Sequence, residues 1–224
     1  MFIGHGTFDG RSAKFNLRGP DISGDDLAAV LKPCKRPLAV IDCASASGPF
    51  INVLSAPGRV IITATRNGQE RNATVFMRFF AEALTDPAAD MDKNGSVSAL
   101  EAYRYAEQHT VKFYESASRI ATEHPMLDDN GDGKGVKDPS PQNGEGLLAA
   151  TIPLVRYAAA SARVDTPEAR ELRAQKEKLE NDIAALKYNK ASLEEYEYKQ
   201  RLADLLLNLA RAQQQLEKLE NAKP

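Results

Sequence analysis

Only two cysteines, Cys34 and Cys43, are present, so no disulfide framework can staple this chain and packing has to stabilise it. Basic charge is not in excess either. Lys and Arg number 29 against 31 Asp and Glu, leaving a formal charge of -2 and no basic patch of the kind that binds nucleic acid. No apolar run approaches the roughly 20 residues that a helix needs to cross a bilayer. Met1-Phe2-Ile3-Gly4-His5 opens without the basic segment and cleavage site of a secretory leader. These absences argue against nucleic-acid partners and a membrane span, and they assign no compartment. What is present, 224 residues at 42% hydrophobic and 27% charged, suits one medium domain with an appendage.

Two short segments carry candidate chemistry. His5-Gly6 lies in FIGHGTFDG, and Cys43 closes the apolar run LAVIDC ahead of the small-residue stretch ASASG. A thiol attacks a carbonyl only as thiolate, so a catalytic Cys needs a proton acceptor nearby, usually His. Both residues stand at the C-terminal ends of β-like runs, where open α/β sheets place their reactive groups. His5 and Cys43 are therefore a candidate dyad. His109 and His124 lie in or after a helical stretch without a partner pattern and read as ordinary; Cys34, in a loop after Pro33, is the weaker thiol.

From His5 to about Gly133 the chain resembles the caspase-like cysteine peptidases, and among them the legumain-like (asparaginyl endopeptidase) branch with its bacterial relatives. The resemblance rests on the His-Gly pair after a strand, the strand ending in Cys43 with Ser47-Gly48 close behind, and the next strand, RVIITAT. It implies an α/β fold with a mostly parallel sheet flanked by helices. By the same resemblance His5 is the general base and proton shuttle, Cys43 forms the acyl-enzyme, and the Gly6 and Cys43 amides hold the oxyanion. No cofactor is needed for that step, and the partner is a peptide or protein substrate. In the family one residue separates Cys from Ser-Gly, and the spacing here is longer. Asp42 stands where many relatives have Ala, and a carboxylate beside a thiol disfavours its ionisation. The His-bearing strand is third in the family's order, so the chain is expected to be N-terminally incomplete.

Along this first domain, expected over residues 1–160, Ala13 to Leu17 alternates as a short strand and Ser23 caps a helix that Pro33 ends. Leu38 to Ile41 and Val60 to Thr65 read as buried parallel strands. Ala44 to Gly58, rich in Ser, Ala, Gly and Pro, reads as a site loop, and Arg66 to Glu70 is placed to border a pocket. Val75, Phe76, Phe79, Phe80 and Leu84 recur at helical spacing as core. Asp90-Met91-Asp92-Lys93-Asn94-Gly95-Ser96-Val97-Ser98-Ala99-Leu100-Glu101 matches the EF-hand calcium loop. Asp90, Asp92 and Asn94 offer side-chain oxygens, Ser96 its backbone carbonyl, and Glu101 a bidentate carboxylate from the helix that follows. Such a Ca2+ ion would be structural. The segment from Asp128 to Gly135 repeats the first half of this loop, but Pro139 takes the twelfth place, so a borrowed carboxylate such as Asp138 would have to complete it.

The appendage, expected over residues 161–224, turns to Glu, Lys, Gln, Ala and Leu. Leu172, Leu179 and Leu186 form one stripe; Tyr198, Leu202, Leu205, Leu209, Ala212, Leu216 and Leu219 form another, out of phase with the first. Two helices in an antiparallel hairpin or coiled coil explain the break, with Ser192 and Glu195 as a capping box. The stripes can also recruit a protein partner or a second copy. Two functions follow: a cysteine endopeptidase, or a catalytically inactive, calcium-stabilised caspase-like scaffold for protein–protein interaction.

Overall fold

The computed structural model describes residues 1–157 and 166–221, and the chain divides into two compact units, Met1–Arg156 and Tyr157–Pro224. The domain boundary expected at residues 160/161 lies outside the described residues.

In the first unit β1 (Gly6–Phe8), β2 (Ala13–Phe15) and β3 (Ile22–Ser23) form an antiparallel meander. The alternation of Ala13-Lys14-Phe15 buries Ala13 and Phe15 and leaves Lys14 in solvent. Ser23 then starts α1 (Gly24–Leu31) with a capping box: its hydroxyl accepts from the Asp26 N–H while the Asp26 carboxylate accepts from the Ser23 N–H. β4 (Leu38–Asp42) and β5 (Arg59–Thr63) run parallel, with Asp42 opposite Thr63. The crossover between them, which reads as loop in the sequence, contains α2 (Pro49–Leu54). Pro49 suits a first helical turn, and Phe50, Ile51 and Leu54 put one apolar face on the core. Val60, Ile61 and Ile62 are fully buried, as expected of a strand covered on both faces. Arg59 closes the crossover, its guanidinium donating to the Leu54 carbonyl (3.0 Å) and to the Leu31 carbonyl (3.1 Å).

α3 (Phe76–Ala83) follows, with the Phe76 ring 5.7 Å from Phe80 and 6.3 Å from Tyr103, centroid to centroid. Phe76, Phe79 and Phe80 are core, as their spacing predicts. Within the second half of the acidic loop, β6 (Ser96–Ser98) leads into α4 (Ala99–Ser116), capped by Ser98 and Glu101. β7 (Met126–Asp128) joins β5 antiparallel, so the central order is β4-β5-β7. α5 (Leu147–Thr151) and β8 (Pro153–Arg156) return the chain to pair with β6.

The class is mixed α/β, and the sheets are small and mixed rather than mostly parallel. Among the described residues only the β4/β5 pairing and a single bridge from Phe2 to Asp42 are parallel. Short turns join the meander strands, and such turns permit only antiparallel neighbours. Ala13, Phe15, Val40, Phe50, Leu54 and Ile61 form a core cluster, with Leu27 and Leu31 of α1 packed on it. Each of the larger side chains, Phe, Leu, Ile or Val, stabilises by about 1.5–3 kcal/mol on removal from water before entropy is counted.

In the second unit Thr166 caps α6 (Pro167–Tyr188), and α7 (Glu195–Asn221) packs on it. Lys176 donates to Gln213 at 2.8 Å, while Leu186 and Leu205 line one groove nearer the turn, so the helices are antiparallel. Ile183, Ala212 and Leu216 are buried. The phase break falls on a 3-10 turn, Lys190–Ser192. Ser192 is not the expected cap: its hydroxyl donates to the Asn189 carbonyl at 2.7 Å. Among the described residues no helix is long and apolar enough to cross a membrane.

Candidate functional site

Residues 1–3 run beside β4. The Phe2 N–H donates to the Ile41 carbonyl (2.7 Å), and the Cys43 N–H donates to the Phe2 carbonyl (3.0 Å). This bridge carries the His5-Gly6 turn onto the loop after β4. There Gly6 and Ser45 clasp each other: the Gly6 N–H donates to Ser45 Oγ at 3.2 Å, and that hydroxyl donates back to the Gly6 carbonyl at 3.1 Å. The fit needs glycine, because a Cβ on residue 6 would stand 2.2 Å from the Ser45 carbonyl oxygen. The loop is tied further by Ala46 N–H to the Glu70 carbonyl (2.8 Å), Gly48 N–H to Thr65 Oγ1 (2.9 Å) and Ser47 Oγ to Thr65 Oγ1 (3.1 Å). Ala46 itself adopts φ 53°, a left-handed conformation that costs a non-glycine residue about 1–2 kcal/mol.

The segments that hold His5 and Cys43 thus meet, but the two side chains sit in opposite environments. His5 is exposed, and its imidazole makes no hydrogen bond among the described residues. Cys43 is 1% exposed. Burial pushes its thiol up to about 12, with the Asp42 charge adding to the effect and Glu123 adding less. Its N–H, expected in an oxyanion hole, is spent within the sheet. Asp42 is also buried: desolvation lifts it to about 6 against the Ala44 N–H that holds Oδ1, and Oδ2 has no hydrogen-bond partner among the described residues. A thiol so placed holds almost no thiolate at neutral pH, which sets the Cys43 environment against a nucleophilic role.

Two residues outside the expected set belong to this crest. Ser45 is one; counting back from Ser47-Gly48 by the family's spacing reaches Ser45, a signal present in the sequence. His124 is the other. Its Nδ1 lies 2.6 Å from Glu70 Oε1 and its N–H donates to Glu70 Oε2 at 3.1 Å, which fastens the 66–70 loop. Glu70 joins that loop to the crest through the Ala46 N–H, and the neighbouring Arg71 Nη2 reaches the Phe8 carbonyl at 3.3 Å. No local pattern announces the His124 pairing, which spans a sequence separation of 54. His109 stacks on Tyr105 with centroids 4.2 Å apart and is structural.

In the 90–101 loop the carboxylates of Asp90, Asp92 and Glu101 can each bring an oxygen within 4.8 Å of the others. Asp90 accepts from the Asn94 and Gly95 N–H groups, and Asn94 Oδ1 accepts from Ser96 N–H, winding the loop around its oxygens. Gly95 permits the turn with φ 82°. Glu101 is buried and accepts from Met91 N–H on one oxygen and Ser98 N–H on the other. The donor set is all oxygen, which suits a hard cation. In the second acidic segment Asp128 and Asp132 meet Glu145, not Asp138, whose carbonyl accepts from Asn143. Burial, with Asp129 and Asp128 nearby, raises Glu145.

Comparison with protein-family models, with curated proteins and with solved structures finds no match to this chain.

Proposed function

We propose that this chain is a caspase-like, legumain-related hydrolase that cleaves peptide bonds through an acyl-enzyme at the crest formed by His5-Gly6 and the 43–48 loop. One observation carries the reading: the Gly6–Ser45 clasp, above the Phe2–Asp42 parallel bridge, seats a His-Gly turn on the loop that follows a buried parallel strand. His5 takes the nucleophile's proton and returns it to the leaving amine, and the Gly6 N–H holds the oxyanion. Cys43, the nucleophile implied by the family, has the wrong surroundings for that role in this arrangement. The substrate is an extended peptide or protein segment.

The same reading gives the 90–101 loop a structural Ca2+. Asp90, Asp92, Asn94 and Glu101 would supply side-chain oxygens and Ser96 its carbonyl. The ion would tie the entrance of α4 to the β6/β8 pair and takes no part in hydrolysis. The α6/α7 pair is read as a hairpin that can also serve as a coiled-coil contact for a partner or a second copy.

Hydrolysis of a fluorogenic peptide library tests the proposal. His5→Ala should lower kcat/KM by at least about 100-fold, the scale of general acid–base catalysis. Equal turnover by the His5→Ala chain would reject it. A second reading, a non-catalytic calcium-stabilised scaffold for protein–protein interaction, is favoured by the burial of Cys43 and the unbonded His5 imidazole. It requires that no peptide in the library be cleaved.

A further inference from the structure

Resting on the hydrolase reading, we infer that the nucleophile of this site is the Ser45 hydroxyl, with the backbone N–H groups of Gly6 and Ser45 as the oxyanion donors. Ser45 Oγ is the side-chain atom that sits against the residue following His5, 3.2 Å from Gly6 N and 3.1 Å from Gly6 O. The oxyanion forms two bonds from the attacking atom, on the same carbon, so the Gly6 N–H, which donates to Ser45 Oγ at rest, has to turn from that oxygen to its neighbour to receive it. The second donor is available at Ser45 and not at Cys43. The Ser45 N–H makes no hydrogen bond among the described residues, whereas the Cys43 N–H donates to the Phe2 carbonyl.

The local backbone agrees. Ser45 lies in a strand–turn–helix unit between β4 and α2, followed at once by Ala46 in its left-handed conformation. Strain of that kind persists only where surrounding contacts enforce it, and here the Ser45 hydroxyl bonds Gly6 on one side of the turn and the Ala46 N–H bonds the Glu70 carbonyl on the other.

The reaction balances without a further reagent. Ser45 Oγ bonds to the peptide carbonyl carbon as its proton passes to the His5 imidazole, and the carbonyl oxygen becomes the oxyanion held by the two N–H groups. Collapse breaks the C–N bond, and the amine leaves with the proton from His5. Water then adds to the ester, giving a proton to His5; the ester C–O bond breaks, and Ser45 recovers its hydrogen. Ser45 is 3% exposed at rest and donates to Gly6 O, so attack requires that this hydrogen bond be exchanged for one to His5. His5 is an exposed side chain, and such groups change rotamer in nanoseconds or less.

A fluorophosphonate probe applied to the full chain, with the adduct located by mass spectrometry, tests the assignment. The expected result is one adduct on Ser45, formed at least tenfold more slowly in His5→Ala and absent from Ser45→Ala. In a Ser45→Cys chain the new thiol should alkylate with iodoacetamide at least tenfold faster than Cys34 in the same molecule. Peptide hydrolysis that survives Ser45→Ala, or that iodoacetamide abolishes by modifying Cys43, would overturn Ser45 and leave the hydrolase reading standing. A wild-type chain that neither cleaves nor labels, with a slow thiol in Ser45→Cys, would overturn both.

Discussion

A carboxylate at the end of β4 is held where water does not reach, and this has a measurable cost. Asp42 rises from 3.8 to about 6 because burial disfavours its charge more than the Ala44 N–H favours it. The folded state therefore binds this proton more tightly than the unfolded chain. The stability it contributes is complete below about pH 4 and is lost as pH rises through about 6. The loss is about 3 kcal/mol across that window, at 1.36 kcal/mol per pKa unit. Urea unfolding of wild type at pH 4.5 and 7.5 should show this decline, and Asp42→Asn should flatten it. Equal slopes in the two proteins would mean that Asp42 is not the group responsible.

Glu101 shows at the scale of an element how one side chain can serve two ends. It closes the capping box of α4 with Ser98, and it is the twelfth residue of the acidic loop. The two roles separate experimentally. Asp92→Ala should abolish any rise of Tm on adding calcium while changing the calcium-free Tm little. Glu101→Ala should abolish the rise and also lower the calcium-free stability by about 0.5–2 kcal/mol, the scale of a lost cap. A calcium response that survives Asp92→Ala would remove the ion from this loop. The elements that could be read from sequence were those with a local cause. Ser23 marks the start of α1, the β-branched runs mark β4 and β5, and the aromatic spacing marks α3. α2 escaped because its three core residues sit inside a stretch dominated by small side chains. β7 escaped altogether, because the three residues Met126-Leu127-Asp128 are too few to show a period and their pairing with β5 is set by the path of the chain after α4.

On the scale of the whole molecule, the two units draw on different sources of stability. The first buries a sheet between helices, while the second has only the seam between α6 and α7, where Ile183, Ala212 and Leu216 are out of water. Most helical stability in proteins comes from packing of an apolar face, so α6 and α7 depend on this seam. Ile183→Asp should lower the mean helical ellipticity of the chain at 222 nm, and Ser192→Ala should not. An unchanged spectrum for Ile183→Asp would show that α6 does not depend on this contact. The meeting of His5-Gly6 with the 43–48 loop was legible only in outline, since a single bridge from Phe2 to Asp42 lays residues 1–3 beside β4 while Gly6 opens β1 of a different sheet. The contrast between the two side chains was not, because Ser45 bonds Gly6 while the Cys43 N–H is spent on Phe2, and a string of letters displays neither bond.

Arg59 imposes a constraint on how this architecture can vary. One planar guanidinium terminates α1 and α2 together, and its forked donors have a fixed span. Adding a residue to either helix would carry its last carbonyl out of reach, so their lengths are coupled although 17 residues lie between Leu31 and Pro49. Lysine, a single point charge, could satisfy one carbonyl and would orphan the other. Insertions are therefore excluded from the two helix ends that share this one side chain.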